Sequence, residues 1–216
     1  MQPASAGTPL LPATDWRAAS FFSQPFPHLE CPDFLDPETA EALLSWLEAR
    51  NWLDLGLAEY KGYSDVPLNA FNLPESCSGL IAPDFLVQLR QLMSRFFRID
   101  STGNVRVTAH RILTGGSLSP HADVSQMRFT HRLLVQLNRG WTYESGGFLC
   151  LYDGNPSPNE PPRKLVAPLH RSGFAFEVSE RSFHSVTPVL GGPRYTLSYT
   201  FYPPVNGECD ETSPTP

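Results

Sequence analysis

The sequence predicts a mainly β fold: an antiparallel sandwich or barrel, with the eight-stranded jelly roll as its natural form, braced by two N-terminal helices. Three observations predict it. From residue 104 onward the chain breaks into short runs of alternating apolar and polar residues. Turn residues, mostly Gly, Pro and Asn, separate these runs, which fall at 104–113, 118–124, 131–138, 147–152, 163–167, 173–178, 182–189 and 193–202. Ahead of them stand two segments with apolar residues at helical spacing, each opening on a proline.

Bulk properties bound the rest. A chain of 216 residues, 41% hydrophobic and 12% aromatic, can bury one sizeable core, so a single domain is expected over residues 15–202, with the jelly roll at about 104–202. Residues 1–14 and 203–216 are rich in Pro, Ser, Thr, Gly and acids and read as flexible tails. The net charge of -6 and the lack of any Lys/Arg run argue against a nucleic-acid partner. No apolar stretch approaches a membrane span, and Met1 to Pro12 lacks the basic start and apolar run of a signal peptide. Cys31, Cys77, Cys150 and Cys209 form no C-x-x-C pair and read as free thiols of a reducing, cytoplasmic compartment.

The elements follow in order. Residues 25–35 form an extended lead-in. Asp36-Pro37-Glu38 then supplies a helix start: a capping Asp, a first-turn Pro and an acid near the positive end of the helix. Ala40, Leu43, Leu44 and Leu47 continue it on one face. A second helix starts near Pro83-Asp84, with Leu86, Leu89, Met93 and Phe96 at intervals of three and four. The segment between them reads as a loop or ribbon. Tyr60, Tyr63, Asp65 and Asn69 lie there as candidates for covering a substrate, with an ordinary solvated loop as the alternative. The last strand puts Arg194, Thr196, Ser198 and Thr200 on one face and Tyr195, Leu197, Tyr199 and Phe201 on the other. A surface strand gives the same alternation. A polar stripe facing into a barrel mouth would be a binding surface.

The chemistry concentrates in four residues. His121 and Asp123 stand one residue apart, so on a strand both side chains share a face, and Gly115-Gly116 and Pro120 supply a bend just before them. His184 sits at a plausible strand start. Two histidines and a carboxylate can hold one face of an iron(II) ion and leave positions open for reactants. Arg194, ten residues after His184, can pair with a carboxylate at two points. His28, His110, His131 and His170 read as structural.

Taken together, these pieces resemble the iron(II)/2-oxoglutarate-dependent oxygenases, especially their prolyl-hydroxylase-like branch. The resemblance spans about residues 105–202. It rests on His121-Ala122-Asp123, the run His131–Asn138, the run Glu144–Tyr152, His184-Ser185-Val186 and Arg194, with Pro25–Leu29 as a similar lead-in. It implies a double-stranded β-helix (jelly-roll) core. It also implies that His121, Asp123 and His184 hold Fe(II), and that Arg194 pairs with the far carboxylate of 2-oxoglutarate while Thr196 donates a second hydrogen bond. Gln136 and Arg111 are weaker pocket candidates, matched by position only, and for Arg111 a surface salt bridge is equally open. Dioxygen is the further co-substrate and ascorbate an activator. Asp123 argues for hydroxylation over halogenation, since halogenases of this kind lack the carboxylate; desaturation or ring closure stays open. Thr200, where nucleic-acid demethylases carry a second Arg, and Arg194, where collagen-type hydroxylases carry Lys, argue against those subgroups.

The expected function is hydroxylation of an unactivated C–H bond in a small molecule, such as a free amino acid or a biosynthetic intermediate, without a membrane or nucleic-acid partner. The alternative is hydroxylation of a residue, for instance a prolyl, within a protein or peptide. More remote are a non-catalytic jelly-roll binding module and a cupin-type metalloenzyme, which would not need the carboxylate clamp at Arg194.

Overall fold

Helix α1 (Pro37–Ala49) begins where the sequence supplies its cap. The Asp36 side chain accepts a hydrogen bond from the Thr39 amide at 2.8 Å, and Pro37 sits in the first turn, where no helical N–H bond is lost. Ala40, Leu43, Leu44 and Leu47 form its buried face. Helix α2 (Pro83–Phe96) also opens on proline and buries Phe85, Leu89 and Met93. Leu86 and Phe96, expected on that face, are only partly buried, and Phe85 takes the deeper place. The computed structural model describes residues 11–53, 60–99, 103–124 and 129–204.

Among the described residues the strands are β1 (Ser20–Phe22), β2 (His28–Cys31), β3 (Tyr60–Pro67), β4 (Val105–His121), β5 (His131–Gln136), β6 (Leu149–Leu151), β7 (Lys164–Val166), β8 (Gly173–Glu177), β9 (His184–Val186) and β10 (Arg194–Phe201). All pairings are antiparallel, along the path β1-β2-β8-β5-β10-β4-β9-β6-β7, with β3 also on β4. Strands β1, β2 and β3 fall in segments whose sequence gave no clear strand pattern.

Strand β4 joins the two walls of the roll. Its first part pairs with β10, from Val105 opposite Phe201 to Ile112 opposite Arg194. Its last part pairs with β9, with Leu118 opposite Val186 and His121 opposite His184. The sequence suggests two strands separated by a bend at Gly115-Gly116; the strand instead runs through, and register shifts take up the irregularity. The glycine has another purpose. A Cβ at Gly116 would lie 2.4 Å from the Lys61 carbonyl, so only glycine lets β3 approach this closely.

Two apolar clusters lie on opposite sides of the β8-β5-β10-β4 wall. Leu133, Val135, Leu197, Tyr199 and Phe201 pack against α1 and α2. Ile112, Leu134, Leu149, Phe174, Phe176 and Val186 fill the inside of the roll. Period-two alternation therefore sends successive residues of one strand into different cores, and all of β10 is buried. The two ends of the strand path meet through side chains. Lys164 of β7 ion-pairs with Glu30 of β2, lies 3.2 Å from His28 Nε2 and sits 3.4 Å over the Phe22 ring of β1.

Part of the expected N-terminal tail is anchored. Leu11 packs on the helix-side core, Thr14 bridges to Leu35, and the Ala13 amide donates to the Asp36 carboxylate at 3.1 Å. Backbone pairing, invisible in composition, holds these residues. Residues 1–10 and 205–216 lie outside the described residues, and Cys209 with them. Cys31, Cys77 and Cys150 are buried free thiols. No helix among the described residues is long and apolar enough to cross a membrane.

Candidate metal centre and its cavity

Strand β4 ends at His121 and β9 opens at His184, its register partner, so the sheet sets the two rings 4.4 Å apart. Asp123 lies just past the end of β4, not on it. Its carboxylate reaches both imidazoles, 3.7 Å from His121 Nε2 and 3.5 Å from His184 Nε2. Sharing a strand face is thus not what pairs His121 with Asp123; the turn after the strand does that. The ligand atoms of all three residues lie within 4.8 Å of one another, the one such group among the described residues.

Each imidazole is oriented in the same way. His121 Nδ1 lies 2.8 Å from the Ser119 carbonyl and His184 Nδ1 lies 2.9 Å from the Ser182 carbonyl. A carbonyl only accepts, so each Nδ1–H donates and each Nε2 is the ring atom turned to the centre. Burial, above all, draws the His184 pKa down to about 4, which leaves the ring neutral at ordinary pH. Burial alone would raise Asp123, but in the acid range where a carboxyl titrates the protonated His184, Arg132 and the protonated His121 outweigh it and hold the carboxyl below its usual range. Asp123 Oδ2 is buried without a hydrogen-bond donor. Two lone pairs and an unsatisfied carboxylate oxygen converge, and a cation answers all three. Arg132 Nε approaches Asp123 Oδ2 at 3.1 Å, as an ion pair without hydrogen-bond geometry.

A cavity of about 230 Å³ opens beside the trio, and Arg194 and Thr196 lie at its wall. Arg194 is 7% exposed, and burial lowers its pKa to about 10, well above neutral, so it stays charged. Its Nη1 donates to Thr196 Oγ1 at 2.8 Å, while its Nε has no partner. No carboxylate among the described residues pairs with it. A buried, unanswered guanidinium calls for an anion. Gly147 makes its place: φ is +69°, and a Cβ there would meet Arg194 Cδ at 3.0 Å.

The remaining sequence-predicted residues divide. Thr196 Oγ1 donates to Gln136 Oε1 at 3.1 Å. Its single proton is therefore engaged, and Thr196 orients Arg194 where a direct bond to a co-substrate was expected. Gln136 backs Thr196 and is absent from the cavity wall. Arg111 faces the other side of the sheet: its guanidinium lies 5.1 Å from the Trp52 ring and 3.4 Å from Ser64 Oγ. An odd position on β4 points away from the cavity that His110 and Ile112 line, which removes Arg111 from the pocket and gives it a cation–π partner in place of a salt bridge. Tyr63 and Asp65 do line the cavity. Asn69 shapes a turn instead, its Oδ1 accepting from the Phe71 amide at 2.9 Å. Tyr60 pairs through its backbone with Leu118, and its side chain lies outside the described residues.

Sequence reasoning missed His110 and Arg132, both on the cavity wall. The signal was present: Arg132 shares a strand face with Gln136, and His110 with Ile112. Burial, with the Arg132 charge adding to it, brings His110 to about 3, so this ring is neutral.

Known proteins bear on this geometry. Residues 107–202 match the model of the 2OG-Fe(II) oxygenase superfamily. The fold is shared with a Pseudomonas putida prolyl-4-hydroxylase, at TM-score 0.67, 18% identity, covering 82% of this chain and 92% of that one. It is shared with a Trichoplax adhaerens prolyl hydroxylase in complex with a hypoxia inducible factor peptide, at TM-score 0.61, 17% identity and coverage of 81% and 83%. It is also shared with HygX from Streptomyces hygroscopicus, bound to nickel and 2-oxoglutarate, at TM-score 0.59, 14% identity and 82% coverage of each chain. No curated protein sequence matches the chain. The matched segment contains the convergent trio and the buried arginine together, so the chain resembles the 2OG-Fe(II) oxygenase superfamily in fold and in the residues gathered at this site.

Proposed function

We propose that this protein is an Fe(II)- and 2-oxoglutarate-dependent oxygenase that hydroxylates an unactivated C–H bond of a small molecule, with His121, Asp123 and His184 as the iron ligands and Arg194 as the clamp for the far carboxylate of 2-oxoglutarate. One observation carries the reading. A single cavity of about 230 Å³ is lined by both the trio and the unanswered guanidinium. That volume is below the few hundred Å³ usual for a drug-sized ligand, so a substrate sharing it with 2-oxoglutarate must present a small group.

Iron(II) with 2-oxoglutarate and dioxygen supplies the oxidant for such a bond. The chain's own residues do the positioning. Ser119 and Ser182 fix the two imidazoles through their carbonyls. Gln136 holds Thr196, and Thr196 holds Arg194, so the guanidinium is set before the acid arrives. Ile112, Leu134, Leu149 and Val186 line the cavity with hydrocarbon and keep water from the reacting carbon. The buried free thiols of Cys31, Cys77 and Cys150 suit a reducing, cytoplasmic setting.

Hydroxylation of a prolyl or other residue within a peptide is the second reading. It draws on the hypoxia inducible factor peptide bound to one structural relative, as the first draws on the hygromycin B bound to another. Succinate release under Fe(II), 2-oxoglutarate and ascorbate, across amino acids and peptides, tests both. Turnover of free small molecules supports the first; turnover confined to peptides replaces it with the second. Arg194→Ala is expected to raise the KM for 2-oxoglutarate about ten-fold or more, because it removes the cation that pairs with the far carboxylate. An unchanged KM removes Arg194 from this role.

A further inference from the structure

The cavity carries two opposite charges that do not answer one another. Asp65 enters from β3 and Arg132 from β5. The Asp65 carboxylate makes no hydrogen bond or ion pair among the described residues. The Arg132 guanidinium makes no hydrogen bond there either: Phe129 covers it at 4.9 Å, and Asp123 faces it only as a charge. Asp65 and Arg132 do not pair with each other. His110, the cross-strand neighbour of Asp65, is neutral and supplies no countercharge.

An unpaired carboxylate at Asp65, and a guanidinium at Arg132 whose one ion pair is with a proposed metal ligand, are costly on the wall of a small cavity unless a ligand completes them. Asp123 is a poor permanent partner for Arg132, because a metal ligand gives its charge to the ion. Arg194, the other cation on the wall, is turned to Thr196 and assigned to the co-substrate. Resting on the oxygenase reading above, we propose that the substrate is a zwitterion whose ammonium is held by Asp65 and whose carboxylate is held by Arg132. The carbon between the two charges then lies against Ile112 and Leu134, in the same cavity as the trio. A site built on two charges rejects an analogue that lacks either, since the missing group leaves a half-buried charge without its counterion.

The test uses the full chain loaded with Ni(II) and 2-oxoglutarate, a state in which binding is read without turnover. Formation of that loaded state is measured first by calorimetric titration of 2-oxoglutarate; its failure overturns the oxygenase reading of the site and this inference with it. Free proline, leucine and lysine are then titrated, each beside its decarboxylated amine, its deaminated acid and its N-acetyl amide. At least one amino acid is expected to bind ten-fold or more tighter than all three of its analogues. Equal binding of an analogue, preference for the capped forms, or no binding of any amino acid overturns the zwitterion while leaving the loaded centre intact. Asp65→Asn is expected to bring the amino acid and its deaminated acid within about two-fold of each other, and Arg132→Gln to do the same for the amino acid and its amine. If Arg132→Gln instead weakens 2-oxoglutarate and spares the amino acid, the arginine serves the co-substrate and the proposal fails. The wild-type series stands by itself if either variant does not fold.

Discussion

Strand β10 is buried on both faces, and the two faces meet opposite conditions. Leu197, Tyr199 and Phe201 face the helices, where each buried side chain contributes roughly 2 kcal/mol through removal of apolar surface from water. Arg194, Thr196 and Ser198 face the inside of the roll, where burial is a cost that hydrogen bonds must offset. They offset it incompletely: Arg194 Nε and Ser198 Oγ have no partner. On the helix side Leu197 and Phe201 carry no polar atom and Tyr199 donates to the Leu80 carbonyl, while on the roll side β10 keeps polar groups waiting. Stability and chemistry are thus separated by one residue of register along the same strand.

Substitutions on the two faces should separate the same way. Asp123→Asn, on the roll side, is expected to cut succinate release by at least about a hundred-fold by removing the charge of a proposed metal ligand, while chemical unfolding shifts by about 1 kcal/mol or less. Retained turnover would remove Asp123 from the centre. Leu197→Ala, on the helix side and fully buried, is expected to cost about 3 kcal/mol in urea unfolding, with 2-oxoglutarate affinity of the folded fraction within about two-fold. A loss of affinity larger than the loss of stability would show that the two faces are coupled.

A titration sharpens the contrast from the helix side. His131 stands against the Phe97 ring at 5.1 Å, and burial lowers its pKa from 6.5 to about 4. Between those values the unfolded chain binds the proton and the folded chain does not, so stability falls as pH drops from 6.5 towards 4 and is unaffected by this group outside that window. The full effect is about 3 kcal/mol. His131→Leu should flatten that part of the unfolding profile; an unchanged slope would place the acid sensitivity elsewhere. The smallest effect is expected at the edge of the helix layer. Asp36→Ala removes the α1 cap and should cost about 1 kcal/mol in the same assay, without changing turnover. A larger loss would mean that the Asp36 bond to Ala13 also matters.

Much of the site was legible, for reasons that differ by residue. His121, Asp123, His184 and Arg194 carry chemistry that few other roles require, and their order along the chain is itself a signal. Arg111 misled because a single residue of register reverses the face on which a side chain lies, and the Trp52 ring that engages it is distant in sequence. Asn69 misled because a polar residue between strands serves a turn as readily as a pocket. Arg132 and His110 carried no motif; they became visible only when β5 and β4 were set side by side with β10 between them.

By itself the sequence determined the two helix starts, the alternation of the strands and the residue types that gather at the site, because each is written in local spacing and local chemistry. Tertiary structure decided which face of β10 is interior, that Asp123 reaches the centre from beyond its strand, that Thr196 serves Arg194 through Gln136, and that Asp65 and Arg132 share one wall. These depend on register between strands far apart in the chain, and no local pattern fixes that register; the packing of one sheet between two cores does.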